Sequence, residues 1–441
     1  MQLNLFGVGF RLRCAGVVLA ALLLNLMSTP AADAQVAVGR SLPMVTQPIN
    51  DSNLVVLSGN TRPEARAAAN DQGSVASNLP LSHMLLQLRR PAAQEQALVA
   101  LIDQLHDRTS PNFHHWLTAA EIGERFGPAP SDIQAVTGWL SGHGFAVNTV
   151  YTNGMVVDFS GTADQIRTAF HTEIHNLLVK GVAHIANISD PQIPAALAPV
   201  VIGIVSLHDF MPKPAAHHGG KSDAISGPTE QGGWHYVTPG DLATIYNFKP
   251  VFANRINGRG QTIYLVENSN MYRADDWSDF LFGFSLEAYG SLGSLGFEYP
   301  LPPSGPNNCS NPGATDNDAE ATLDAEYASA AAPGADLVMA ICSNLLIAVQ
   351  NLVNRANPPA IISISYQFCE ASAGASFNAA VNTAFQTGVA EGASIYVAAG
   401  DQGAAMCSDG GGPVTTGLGV NGWASTPYNV AVGGTDFEDT Y

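Results

Sequence analysis

Glu320 and Asp324 stand four residues apart in DNDAEATLDAEYASAAAPGA, residues 316–335. On a helix that spacing puts both carboxyl groups on one face about one turn apart, near enough to share a proton or a hydrogen bond. Two such groups ordinarily form a solvated face. Here the rest of the helix is Ala-rich, Leu323 and the run Ala328–Ala332 can pack, and no basic neighbour offsets the like charges. The chemistry open to such a pair is general acid–base work in acid, because a Glu of pKa about 4.3 is still partly ionised at about pH 4, where a His of about 6.5 is protonated. Calcium is a rival use, but Asp316-x-Asp318-x-Glu320 has no Gly in the sixth position and lies in a helix rather than an EF-hand loop. Asp401 follows SIYVAAG directly, and a carboxyl group after a Gly at a strand end is either a plain turn residue or one aimed into a crevice. The HTEIH at 171–175 lacks the Glu directly after the first His that a zinc protease helix needs, and no Gly-x-Ser-x-Gly elbow occurs.

The elements that must hold these groups alternate. Apolar strands are expected at Thr262–Glu267, Asp336–Ile341, Ala360–Ser365, Ala393–Ala399 and near Tyr428–Val432, with helices about Asp275–Phe284, Asp316–Ala332, Leu345–Arg355 and Ala371–Val389. Short apolar strands between helices predict a parallel, doubly wound α/β sheet. Functional groups gather at the carboxyl ends of such strands, which are Glu267-Asn268, Ser365-Tyr366 and Gly400-Asp401 here.

The preceding half differs. Arg11 and Arg13, the apolar run Cys14–Met27 and the triplet Ala32-Asp33-Ala34 read as a signal peptide over 1–34, too short in its apolar run to span a bilayer. Export leaves Cys309, Cys342, Cys369 and Cys407, an even number that suggests two disulfides with three possible pairings. Residues 35–78 read as a flexible arm. From 79 to 210 the order is strand, helices, two strands, helix and a last strand pair at Glu173–Asn187, which predicts a split βαβ (ferredoxin-like) domain. Ser131 is the expected N-cap of one helix, Thr162 with Gln165 forms a capping box of another, and Asn153-Gly154 and Lys180-Gly181 are turns. Residues 211–235, rich in Pro, Gly and Ser, read as an exposed linker. From His235 onward 5 Lys+Arg face 20 Asp+Glu, against 13 and 17 before it. That acidic balance speaks against nucleic acid and anionic membranes as partners.

SPNFHHWLT (110–118), RFGP (125–128), FSGTADQIRTAFHTEIH (159–175) and SDPQIPAALAPVVIGIVSL (189–207) resemble the activation pro-domain of the sedolisins, the serine-carboxyl peptidases that include kumamolisin. TPGDLATIYNF (238–248), EATLDAEYASAAAPGA (320–335), ISISY (362–366), AAGDQGA (398–404) and STPYNVAVGGT (425–435) resemble their catalytic domain. The resemblance implies a subtilisin-like sheet over 236–441, incomplete at its C-terminus, and peptide-bond hydrolysis in acid by a secreted, extracellular or periplasmic enzyme acting on proteins or peptides. It assigns Glu320 as general base, Asp324 as its orienter and Asp401 as a protonated donor to the oxyanion, with Glu267 and Tyr366 as supporting residues. Tyr366 stands where the family commonly has Trp. The family nucleophile is a Ser in a Gly-Thr-Ser motif followed by a calcium site. Both are expected downstream of Tyr441, since Asp436 follows Thr435 here. The 441 residues are then expected to be inactive by themselves, as the N-terminal portion of a zymogen. The alternative is a non-catalytic remnant whose pro-domain binds or inhibits an intact relative. Pro-domain docking onto a carboxylate-rich partner is expected to weaken in acid.

Overall fold

The computed structural model describes residues 39–214, 230–231, 234–235, 237–407 and 417–434. The signal segment 1–34, most of the linker and the residues after Gly434 lie outside them.

In the N-terminal half a four-stranded antiparallel sheet has the order β4-β5-β3-β9, built from β3 (Pro80–Leu88), β4 (Ala146–Val150), β5 (Val156–Thr162) and β9 (Val201–Ile204). Its helices are α1 (Ala92–His106), α2 (Ala119–Phe126), α3 (Pro130–Gly142) and α4 (Ala163–Phe170). Leu98, Ile102 and Leu105 line the buried face of α1, as their spacing predicts. Thr162 and Gln165 close the expected capping box on α4. The structure differs at α3, where Ala129 occupies the N-cap and Pro130, with its φ already helical, takes the first turn in place of an N-cap at Ser131. The strand pair at 173–187 does not join this sheet. As β6 (Ile174–Val179) and β7 (Val182–Asn187) it forms a three-stranded sheet with β2 (Asp71–Ser74), and the fourth place beside β3 goes to β9.

The stretch read as a flexible arm is tied down. Strand β1 (Leu54–Val56) pairs with β8 (Gln192–Pro194). The buried Asp132 carboxylate accepts from the Met44 and Val45 amides at 2.8 and 2.9 Å, and Asp190 accepts from the Asn60 amide and the Thr61 hydroxyl. Buried carboxylates need donors, and an aperiodic chain has unpaired amides to give.

The C-terminal half is a six-stranded, wholly parallel sheet of order β12-β13-β11-β14-β16-β17. Its strands are β11 (Thr262–Glu267), β12 (Leu295–Glu298), β13 (Asp336–Ile341), β14 (Ile361–Ile364), β16 (Ser394–Ala398) and β17 (Val430–Val432), and the short β15 (Tyr366–Gln367) lies outside it. Helices α6 (Ala274–Gly283), α7 (Asp318–Ala331), α8 (Leu345–Val353) and α9 (Ala375–Ala390) fall between strands as the alternation predicts. All of α8 is buried. One apolar core runs from the sheet (Val266, Ile362, Val397) through α8 and α9 (Leu352, Phe385) to Leu85, Tyr151 and Val156 of the first half, so the halves share an interior. The cysteines pair as Cys309–Cys342 and Cys369–Cys407. No helix among the described residues is long and apolar enough to cross a membrane.

Candidate active site

Three strand ends and one helix build the site. Ala321 and Ala325 of α7 share one apolar cluster with Leu265 of β11 and Met339 of β13, so the small face of the helix sits close on the sheet. Asn317 Nδ2 donates to Asn268 Oδ1 at 2.8 Å and the Thr315 amide to Ser269 Oγ at 2.9 Å, so the start of α7 is fastened to the end of β11. Glu267, Glu320 and Tyr366 are buried, and Asp324 is half-buried.

A chain of hydrogen bonds joins them. Tyr366 Oη donates to Glu267 Oε2 at 2.8 Å, and Ser365 Oγ donates to Asp324 Oδ1 at 2.8 Å. The Glu267 and Asp324 carboxyls lie within reach of each other, so that a hydrogen bond can join them only when one carries a proton. Burial first, and then the Asp324 charge and this bond, push the Glu267 carboxyl well above the usual range, against the Tyr366 hydrogen bond. Burial also raises Asp324, opposed by the bonds from Glu267 and Ser365. Both carboxyls are thus pushed toward the protonated form, Glu267 the more strongly. Glu320 is one turn away on α7, and its charge adds to the upward push on Glu267.

Asp401 lies apart from this cluster. It follows β16 through Gly400, whose φ is +98°, and it is exposed rather than enclosed as an oxyanion donor of raised pKa was expected to be. Gln402, Met406 and Cys407 of the same loop do line the cleft.

That cleft is a cavity of about 1000 Å³ between the halves. Asp316, Asp318 and Glu320 form one wall and Phe368, Ala373 and Phe377 another. The chain leaving the first half passes through it. β10 (Lys213–Pro214) pairs antiparallel with β15, Lys213 opposite Gln367 and Pro214 opposite Tyr366, and Asn268 Nδ2 reaches Pro212 O at 3.4 Å. The arrangement can bind an extended peptide backbone by strand addition in a cleft walled by Asp316, Asp318 and Glu320. Neither β10 nor the Ser365 contact was visible in the sequence: two residues bearing a proline have no periodicity, and Ser365 was marked only by its place at a strand end.

Residues 67–210 match the family of the pro-kumamolisin activation domain. The chain is similar to kumamolisin of Bacillus sp. (strain MN-32), 26% identical over 390 residues, 86% of this chain and 66% of that protein. It is similar to sedolisin of Pseudomonas sp. (strain 101), 26% identical over 381 residues, 81% of this chain and 60% of that protein. Tripeptidyl-peptidase 1 of Rattus norvegicus is 26% identical over 362 residues, 78% of this chain and 60% of its own length. The chain thus spans 60–66% of the length of these curated relatives.

Proposed function

We propose that this chain, which belongs to the sedolisin family of peptidases, is the pro-domain-inhibited precursor of a secreted endopeptidase that hydrolyses protein substrates in acid through a Ser-Glu-Asp triad. The observation that carries the reading is the pairing of Lys213–Pro214 with Tyr366–Gln367, which lays an extended backbone in the cleft that Glu320 lines.

In this reading Glu320 takes the proton of the attacking hydroxyl and returns it to the leaving amine. Asp324 orients Glu320. Glu267, kept neutral by burial, and Tyr366 hold Asp324 in one proton state, so that the base works with a fixed neighbour. Asp401, once protonated, donates to the oxyanion as the tetrahedral intermediate forms. The Ser that the family places in Gly-Thr-Ser stands nowhere in these 441 residues, so the complete reaction belongs to a polypeptide that supplies it. Calcium remains a family expectation. Among the described residues no group of three or more His, Cys, Asp or Glu gathers to hold a metal, and no step here uses one. Maturation cuts between Met211 and Tyr236 in acid, and residues 1–34 direct export.

The test compares the 441-residue polypeptide with one extended to include a Gly-Thr-Ser segment, on denatured casein from about pH 3 to 6. The extended form is expected to cleave and the shorter one not. Glu320→Ala in the extended form is expected to cost about 10³-fold, within the span for loss of a general base. Activity indifferent to that substitution overturns the assignment.

A further inference from the structure

We propose that Asn421 is a positioning residue of the cleft, whose side-chain amide locks the strand end carrying Asp401 to the segment that pairs with the extended chain. What is positioned rests on the function proposed above, whereas the lock rests on geometry alone. Asn421 is 1% exposed. Its Nδ2 donates to Tyr366 O at 3.0 Å and to Ala398 O at 2.7 Å, and its Oδ1 accepts from the Phe368 amide at 3.2 Å and the Trp423 amide at 3.1 Å. Two donors and two acceptor positions are the whole capacity of an amide, and all are used.

The partners give the contact its meaning. The Tyr366 carbonyl belongs to the residue opposite Pro214, so it lies in the strand that receives a peptide backbone. The Ala398 carbonyl closes β16, after which only Ala399 and Gly400 precede Asp401. One side chain therefore spans the peptide-binding strand and the stem of the Asp401 loop.

The surrounding backbone is shaped to let it do so. Segments 366–370, 398–407 and 419–423 are joined by Gly422 N to Phe368 O at 3.0 Å, Glu370 N to Val420 O at 3.1 Å, Gly419 N to Ala404 O at 2.9 Å, and the Cys369–Cys407 disulfide. A Cβ on Gly422 would fall 2.2 Å from the Phe368 ring, and one on Gly419 2.5 Å from Cys407 Sγ, so glycine at both places allows the close approach that buries Asn421. The disulfide and these backbone bonds tie the same three segments together around Asn421.

An amide is required there. Two carbonyls face its donors and two amide hydrogens face its acceptor. An Asp carboxylate would set negative oxygen against both carbonyls, and a protonated Asp would regain a donor for one of them. The titratable groups on the three segments are Tyr366, Glu370 and Asp401.

The experiment is hydrogen–deuterium exchange of the full chain, read by mass spectrometry at about pH 4 and pH 7 with intrinsic rates divided out, for the wild type, Asn421→Ala and Asn421→Asp. In Asn421→Ala, exchange in 366–370 and 398–402 is expected to speed up about tenfold or more at both pH values while the buried helix 345–353 is unchanged, the signature of a local opening. In Asn421→Asp the same acceleration is expected at pH 7, with recovery toward wild type at pH 4. Unchanged protection in 398–402 overturns the lock. Acceleration spread equally into 345–353, with no recovery in acid, makes Asn421 a packing residue and also overturns it. If Asn421→Ala does not fold, the comparison of Asn421→Asp at the two pH values decides alone. No activity is measured, so the peptidase reading can fail while this result stands.

Discussion

The contact between the two halves and the carboxyl cluster are both polar and buried, yet they are satisfied in opposite ways. Across the contact, Asn308 Nδ2 donates to Asp158 Oδ2 at 2.8 Å, Gln386 Nε2 to Glu95 Oε1 at 2.7 Å, Tyr151 Oη to Asn351 Oδ1 at 2.9 Å and Asn153 Nδ2 to Thr387 Oγ1 at 3.1 Å. The donors are uncharged, and the His83–Asp158 hydrogen bond and the Arg90–Glu95 ion pair lie within the first half. In the cluster, Glu267 and Asp324 satisfy each other only while a proton is present. An amide donor does not titrate, although two of these amides donate to carboxylates, Asp158 and Glu95. Carboxyls joined to carboxyls bind best in acid. In these four contacts the second half contributes the amides and hydroxyl of Asn308, Asn351, Gln386 and Thr387, and the carboxylates Asp158 and Glu95 stand on the first half.

The comparison can be broken most strongly at Asn308, which donates to both Asp158 and Tyr151. Asn308→Ala leaves a buried carboxylate short of a donor and is expected to lower stability by roughly 2–3 kcal/mol, at pH 5 and pH 8 alike, as read by thermal unfolding. An equal effect at one pH only would mean that the contact titrates after all.

The cluster should show the reverse. A carboxyl whose pKa is raised on folding keeps its proton after the unfolded chain has released it, so its contribution is full below the ordinary Glu value of 4.5 and fades as pH rises toward the elevated one. Glu267 acts in this sense, and so does buried Glu326, raised to about 8 mainly by desolvation and next by Asp276. The melting temperature is expected to fall by about 5 °C or more between pH 5 and pH 8. Glu267→Gln, which can donate to Asp324 and accept from Tyr366 without titrating, is expected to flatten part of that fall. A melting temperature that climbs with pH contradicts these upward shifts.

The smallest effect sharpens the same point. Tyr366→Phe removes one hydrogen bond from Glu267 and keeps the ring, so a loss of about 1 kcal/mol is expected, with the pH dependence made steeper because the phenol now favours the ionised form. If chemical denaturation finds that slope unchanged, Tyr366 is a packing residue and does not tune Glu267.

Much of the candidate site was legible because it depends on short-range rules. The i, i+4 spacing of Glu320 and Asp324, the apolar runs that become β11, β13, β14 and β16, and the strand-end positions of Glu267, Tyr366 and Asp401 follow from helix and strand periodicity. The capping box at Thr162 and Gln165 follows from side-chain reach. The Gly- and Ser-rich surroundings of Leu295–Glu298 concealed β12, an edge strand with little apolar pattern.

The sequence by itself determined which segments bury an apolar face, which carboxyls share a helix face and which residues end the parallel strands. Each is a property of a few neighbouring residues. Only the tertiary structure decided that Cys309 pairs with Cys342 and Cys369 with Cys407, that residues 40–78 are fastened to the first half, and that Lys213–Pro214 enters the cleft. It also decided that Glu267 and Asp324 are brought side by side while Asp401 remains exposed. Each of these joins residues far apart in the chain, and a carboxyl's proton is set by desolvation and by charges that packing brings within a few ångströms.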